Sequence, residues 1–306
     1  MKFEVHILGS GSALPTISRN PTAHYVNIQE RHLLIDCGEG TQLQLRKSKL
    51  KFQKIDHIFI SHLHGDHYLG LIGLLSTFNL LGRKKTINIY APEKLKELLD
   101  QHFKASQSYL GYLINFVPTA AKISEKIFED NVFTVHTIPL KHKIPCTGFI
   151  IKEKQKLRKL KPAALKKHQI PIALFHQLKM GEDITLNNQR LSNDIFTLDP
   201  EKGRSYAFCS DTKYNQEMVP MINNVDLLYH EATFLEDKRD RADKTFHSTA
   251  HDAAKIAKLC NAKKLIIGHF SARYNDTSAF EKEAKLIFNN TVAINDGDCY
   301  EIDFIK

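Results

Sequence analysis

Apolar residues in the first third of the chain recur in short runs, each closed by glycine or by a polar cluster. Phe3 to Leu8 alternates apolar and polar side chains and ends in G-S-G-S at Gly9 to Ser12. His32 to Asp36 ends in D-C-G-E-G, and Ile55 to Ser61 ends in a run of histidines. Ile87 to Ala91 is followed by P-E-K-L-K-E-L-L. Such runs predict strands, and Pro92 suits the first turn of a helix. Strand-like runs resume near Ser205 with Y-A-F-C-S-D-T, then L-L-Y-H-E-A-T-F, then K-L-I-I-G-H-F. Between the last two, a polar loop leads to His247 and an amphipathic helix is expected near Asp252 to Cys260. Strands alternating with helices predict an α/β fold. The polar clusters follow strands, where loops commonly carry function.

One stretch breaks the pattern. Lys152 to Lys179 holds nine Lys or Arg residues and a single acid, Glu153. The net charge of the whole chain is +9, so most of it comes from this segment. It reads as an inserted, flexible basic arm at about 150–200 in an otherwise single domain spanning 1–306. Its candidate phosphate-binding residues are Lys152, Lys154, Lys156, Arg158, Lys159, Lys161, Lys166 and Lys167. A lysine run is also what a solvated face looks like, so the arm points to a polyanionic partner only beside a site that acts on one. Between Lys152 and Lys179 it holds one aromatic, Phe175, so base stacking is not its obvious mode of binding.

The other bounds are simple. At 306 residues and 42% hydrophobic content the chain can bury a large core. It opens on a charged, alternating stretch rather than a basic segment with an apolar run, so no secretory signal is expected. It has no apolar run of about 18 residues, so no membrane span is expected either. Five scattered cysteines without a C-x-x-C pair suit the reducing cytoplasm and exclude a cysteine zinc site.

The chemistry concentrates at Ser61 to His67, S-H-L-H-G-D-H. Four potential ligands in six residues behind a strand have few structural explanations. A tight loop projects neighbouring side chains in several directions, so His62 and His64 can converge on one ion, and Asp66 and His67 on another. Imidazole with carboxylate suits zinc, with manganese possible. One loop cannot complete two sites. His142 in P-L-K-H-K, Asp211 in C-S-D-T and His269 in I-I-G-H-F lie at predicted strand ends, and Asp211 could bridge both ions. Taken singly, such a histidine is more often a hydrogen-bonded structural residue than a ligand, and such an aspartate is commonly a cap or turn residue. Nine further histidines, such as His24 and His251, have no such context.

G-S-G-S-A-L-P, D-C-G-E-G-T-Q, S-H-L-H-G-D-H, S-D-T, H-E-A-T-F, H-S-T and G-H-F occur in this order along the chain. With the basic insertion, this set resembles the ribonuclease Z family of the metallo-β-lactamase superfamily over essentially the whole chain. The resemblance implies a four-layer αβ/βα sandwich and a homodimer acting on precursor tRNA. It implies two zinc ions per subunit: one held by His62, His64 and His142, the other by Asp66, His67 and His269, with Asp211 between them. It makes the arm an exosite for the tRNA body. One position departs from the family: Ile17 in P-T-I-S-R-N stands where the family loop has lysine, so rejection of tRNAs that already end in CCA is not implied here.

A catalytic assignment follows from that resemblance. Asp66 both ligates and accepts the nucleophile's proton, His247 in F-H-S-T is the general acid, and Glu231 in H-E-A-T orients that imidazole. Two rivals stay open. A small-molecule phosphodiesterase or another hydrolase of the superfamily would share the metals but need no arm. A non-catalytic RNA-binding subunit would be expected to have lost ligands, and all seven are present.

Overall fold

The computed structural model describes residues 2–304. Contacts divide the chain into two compact units, 2–152 with 205–302, and 153–204 with 303–304.

In the larger unit, β1 (Phe3–Gly9) buries Phe3, Val5 and Ile7 completely while Glu4 and His6 stay partly exposed, as the alternation predicts. A tight turn at Gln29 and Glu30, both with positive φ, joins β2 (Ala23–Ile28) to β3 (Arg31–Ile35). The chain then winds through α1 (Thr41–Lys47), β4 (Ile55–Phe59), α2 (Gly65–Leu80), β5 (Ile87–Ala91), α3 (Lys94–Ala105) and β6 (Ile114–Pro118). Regular helix in α3 begins two residues after Pro92. Three antiparallel strands follow: β7 (Lys126–Glu129), β8 (Phe133–Leu140) and β9 (Cys146–Glu153).

The smaller unit carries β10 (Lys159–Leu160), α4 (Pro162–Lys167), α5 (Phe175–Lys179), β11 (Ile184–Leu186), β12 (Gln189–Leu191), α6 (Asn193–Phe196) and β13 (Thr197–Leu198). It has its own small core of Leu165, Ile170, Leu178, Ile184 and Phe196. The insertion expected at about 150–200 is therefore a folded hairpin-and-helix module. Glu153 and Arg204, both buried, form a bidentate ion pair where the module begins and ends.

The larger unit resumes with β14 (Ser205–Cys209), β15 (Leu227–Glu231), α7 (Arg239–Thr245), α8 (Ala250–Leu259), β16 (Lys264–Gly268), α9 (Ser278–Lys285), β17 (Thr291–Ala293) and β18 (Cys299–Glu301). Two seven-stranded sheets result, ordered β18-β1-β2-β3-β4-β5-β6 and β17-β16-β15-β14-β9-β8-β7. One face of the first sheet (Val5, Leu33, Phe59) and the second sheet (Phe149, Tyr206, Phe208) share one core with α8 and α9. The opposite face of the first sheet (Tyr25, Leu34, Ile58, Ile89) packs under α1, α2 and α3. The order is helices, sheet, sheet, helices: the expected four layers.

Close backbone packing sets the site's first loop. A Cβ on Gly70 of α2 would stand 2.1 Å from the Gly38 carbonyl, so only glycine lets α2 lie against the turn after β3. The Gly70 amide then donates to the Cys37 carbonyl at 2.9 Å. No helix among the described residues is long and apolar enough to cross a membrane.

Phe149 is fully buried between the sheets, its ring 5.4 Å from that of Phe59. Phe149→Ala is expected to destabilise the protein by about 3–5 kcal/mol, read as a lowered urea midpoint; an unchanged midpoint would contradict the shared core.

Candidate metal centre

The side chains of interest stand just beyond strand ends of the larger unit, where open α/β sheets leave a crevice. His62 follows β4. His64 caps α2 in extended conformation, with Asp66 and His67 in the first turn. His142, Asp211 and His269 lie one or two residues past β8, β14 and β16, and Glu231 ends β15. Asp36, Asp211 and His269 have φ of 56°, 56° and 62°. A left-handed backbone at a histidine is uncommon and marks a turn held by its surroundings.

Seven of the predicted residues converge. His64 Nδ1 lies 3.0 Å from both His62 Nε2 and His142 Nε2. Asp211 Oδ2 is 3.5 Å from His62 Nε2 and 3.6 Å from His142 Nε2. Its other oxygen, Oδ1, is 3.3 Å from His67 Nε2 and 3.1 Å from His269 Nε2. Asp66 Oδ2 completes that second group, 3.3 Å from each of the same two nitrogens. Two donor sets therefore share one carboxylate, an oxygen turned to each. The donor atoms of His62, His64, His142 and Asp211 lie within 4.8 Å of one another, as do those of Asp66, His67 and His269.

The hydrogen bonds behind the rings decide which nitrogens face inward. Asp36 accepts from His67 Nδ1 at 2.6 Å. Ser61 Oγ donates to Asp36 at 2.9 Å, so it accepts from His62 Nδ1 at 3.0 Å. Thr233 Oγ1 donates to Glu231 at 2.6 Å and so accepts from His269 Nδ1 at 2.9 Å. The Phe246 carbonyl accepts from His142 Nδ1 at 3.0 Å. Each Nδ1 keeps a proton, which turns the Nε2 of all four rings into the space between the carboxylates.

The electrostatics agree. Burial pushes His62 and His142 down, His142 to about 4, and so favours the neutral, ligating form. Burial would also lower His67, but the charges of Asp211, Asp66 and Asp36 outweigh it and raise it well above the ordinary range. Burial would raise Asp211 and Asp66, but the neighbouring imidazoles hold both low. His67 Nε2 is nevertheless a buried polar atom without a hydrogen-bond partner. Three buried carboxylates draw positive charge to a point where no proton is well shared. A divalent cation fits there.

Beside the two sets, Glu231 is fully occupied. Oε1 accepts from His247 Nδ1 at 2.7 Å and Thr212 N at 2.8 Å; Oε2 accepts from Thr233 N at 3.2 Å and Thr233 Oγ1. Burial would lower His247, but the Glu231 carboxylate raises it to about 9. The His247 ring stands 5.1 Å from that of His142 and 5.3 Å from that of His269, beside both sets. His64, Asp66, His142, Asp211, His247 and His269 line a cleft of about 740 Å³, with Lys143, Arg241 and Arg273 also on its walls.

Asp36, Ser61 and Thr233 did not stand out in the sequence. Asp36 was visible only as part of a strand-ending D-C-G-E-G turn, and nothing local tied it to His67, 31 residues away. A further group, Glu236, His251 and Glu283, also lies together. Arg239 donates to both Glu236 oxygens there, and Glu283 accepts from the Glu236 amide, so their oxygens are already engaged.

The arm residues belong to the smaller unit, apart from Lys152, which precedes it. Lys156 pairs with Glu201, and Arg158 with Asp194 and Asp199. Lys159 lies 3.8 Å from Glu201, and Lys161 donates to the Asp194 carbonyl. Lys152, Lys166 and Lys167 are exposed. Residues 153–204 hold eleven basic and six acidic residues, so the positive excess is smaller than the first half of the arm suggests.

The two large sheets and the histidine–aspartate cluster define a hydrolase of the metallo-β-lactamase superfamily. A family model described as a beta-lactamase superfamily domain matches residues 155–270, and one described as anti-Pycsar protein Apyc1 matches residues 3–170. Ribonuclease Z from Bacteroides fragilis is 44% identical over 302 residues, 98% of this chain and 99% of that one. Ribonuclease Z from Phocaeicola vulgatus is 46% identical over 309 residues, 100% of this chain and 99% of that one. The crystal structure of human tRNase Z, short form, superposes with a TM-score of 0.72 at 30% identity, covering 98% of this chain and 100% of that one. A metallo-beta-lactamase fold protein from Bacillus subtilis, at 18% identity and TM-score 0.69, covers 98% of this chain and 100% of that one and shares the fold. The chain belongs to the ribonuclease Z family, as the motif order indicated.

Asp36→Asn keeps the shape but removes the charge that holds His67. It is expected to weaken divalent-metal affinity by roughly 10- to 100-fold, measured by chelator competition. Unaltered affinity would show that the Asp36–His67 contact does not tune the centre.

Proposed function

We propose that this protein is a zinc-dependent endoribonuclease that removes 3′ trailers from precursor tRNA, leaving a 3′-hydroxyl on the tRNA and a 5′-phosphate on the trailer. The observation that carries the proposal is the placement of the His247–Glu231 pair beside two donor sets sharing Asp211, in one cleft with cationic walls. Ribonuclease Z relatives matching almost the whole chain supply the substrate class.

In this reading His62, His64 and His142 would hold one ion and Asp66, His67 and His269 the other, with Asp211 offering one oxygen to each set. Neutral imidazole with carboxylate suits zinc, two per subunit, with manganese as a substitute. When bound, the ions supply Lewis acidity and a nucleophile from water at neutral pH. Asp66 Oδ1, the oxygen not turned to His67 and His269, accepts the nucleophile's proton. His247, with Nδ1 tied to Glu231, presents Nε2 to the leaving 3′ oxygen and protonates it. Glu231 keeps that imidazole charged and oriented. Lys143, Arg241 and Arg273 receive the flanking phosphates.

The arm supplies further phosphate contacts through the exposed Lys166 and Lys167 and reads backbone rather than bases. The working particle is a homodimer of twice the chain's 35.0 kDa, to be measured by light scattering. Four of the five free cysteines are buried, which suits the cytoplasm.

Zinc-loaded protein incubated with a 3′-extended precursor should give one cut beside the discriminator base, and chelation should abolish it. Hydrolysis of a small diester without cutting of the precursor would instead favour a small-molecule phosphodiesterase. His247→Ala should lower turnover roughly 10²- to 10⁴-fold at normal zinc content; loss of zinc would make His247 a ligand or a structural residue. Because Glu231 raises the His247 pKa, the acid form persists until pH passes it, and Glu231→Gln should move the alkaline limb of kcat to lower pH. An unmoved limb would remove His247 as the acid.

Neutralising Lys166 and Lys167 together should make the log–log salt dependence of tRNA binding shallower by roughly 1 to 2. An unchanged slope would take these two lysines out of the tRNA interface.

A further inference from the structure

The loop Gly11–Arg19 forms part of the cleft wall: Ser12, Ala13 and Leu14 line the cleft beside His64 and Asp66. Its tip packs against almost nothing, since Leu14 is 66% exposed and Ile17 fully exposed. An internal turn, from the Thr16 amide to the Arg19 carbonyl at 2.9 Å, shapes it without fixing its position. What fixes it lies at its base. Asp296, in the turn after β17, accepts four hydrogen bonds from the two residues where the loop leaves and returns. Oδ1 takes Ser10 N at 2.9 Å and Ser10 Oγ at 2.7 Å. Oδ2 takes Asn20 N at 2.8 Å and Asn20 Nδ2 at 2.9 Å. Gly11 N donates to Asn20 O at 3.0 Å, closing the base. Ser10 and Ser12 then exchange backbone bonds with Phe270, the residue after His269, at 3.0 and 3.1 Å.

We propose that Asp296 is a positioning residue for polynucleotide binding. Resting on the endoribonuclease reading, its carboxylate staples both ends of the Gly11–Arg19 loop and holds the cleft wall ready for the RNA strand. One anion bonded to four donors is a strong, geometrically specific tie. Without it the loop samples positions away from the cleft, and apparent affinity falls in proportion to the time spent there. Chemistry on a bound strand is untouched, because Asp296 contacts neither donor set. Arg19 gives a second, weaker tether through the Tyr274 and Asn275 carbonyls, so loss of the staple loosens the loop without releasing it.

The test compares Asp296→Asn with the wild type at full zinc loading. Asparagine turns one acceptor arm into a donor facing donors. The expected result is a KM for precursor tRNA raised roughly 5- to 30-fold, corresponding to one or two lost contacts, with kcat nearly unchanged. Zinc content and hydrolysis of bis(4-nitrophenyl) phosphate stay at wild-type levels, and amide exchange speeds up at residues 12–18. Ser10→Ala and Asn20→Ala each remove one donor and should show smaller shifts of the same sign. Asn20→Ala combined with Asp296→Asn should give less than the sum. Unchanged KM and exchange would overturn the proposal; so would an equal fall in activity on both substrates. If the wild type itself left precursor tRNA uncut, the endoribonuclease reading would fail, and the exchange measurement would still decide whether Asp296 holds the loop.

Discussion

Three carboxylates, Asp36, Asp66 and Asp211, are buried within reach of one imidazole, His67. In a low-dielectric interior that much negative charge is tolerated only when cations or donors surround it. The structure meets the demand in two layers. An outer layer of acceptors, Asp36, Ser61 Oγ, Thr233 Oγ1 and the Phe246 carbonyl, takes up the Nδ1 protons. The inner layer then sets imidazole Nε2 atoms and carboxylate oxygens face to face. Such a surface attracts a cation of charge two far better than it accommodates a single proton.

The fold is what makes the arrangement possible. Side chains from β4, β8, β14 and β16 reach one point because the two sheets share a core that aligns their strand ends. The left-handed residues Asp36, Asp211 and His269 turn the chain sharply at those ends, aiming side chains inward that a continuing strand would have carried past. Glu231 links His247 to this framework. Through Oε1 it orients His247, and through Thr233 it fixes His269, so one buried carboxylate serves the proposed acid and one donor set together.

Binding and chemistry draw on different physics. The donor sets are buried and preorganised. The arm's charge is exposed in part, screened by salt and partly neutralised by Asp194, Asp199 and Glu201 within the same unit. Arg158 serves to hold that unit together. A count of basic residues therefore overstates the uncompensated charge of the arm.

The local pattern by itself determined a good deal. Alternation and apolar runs located the principal strands, because a two-residue period is a property of neighbours. The crowding of His62, His64, Asp66 and His67 in one loop announced a metal centre for the same reason. Motif order pointed to His142, Asp211 and His269 as further candidate ligands and to Glu231 and His247 as a candidate acid pair, and folding brings these side chains beside that loop. Other features rest on residues far apart in the chain and belong to the tertiary structure. Asp36 meets His67 across 31 positions, and Asp296 meets Ser10 across 286. A lone aspartate in a turn looks the same whether it caps a loop or orients a ligand. The acids that neutralise Arg158 likewise come from a later part of the insertion. Spacing along the chain reports which residue types can cooperate; only folding decides which oxygen faces which nitrogen, and hence which protons are held and where a cation fits.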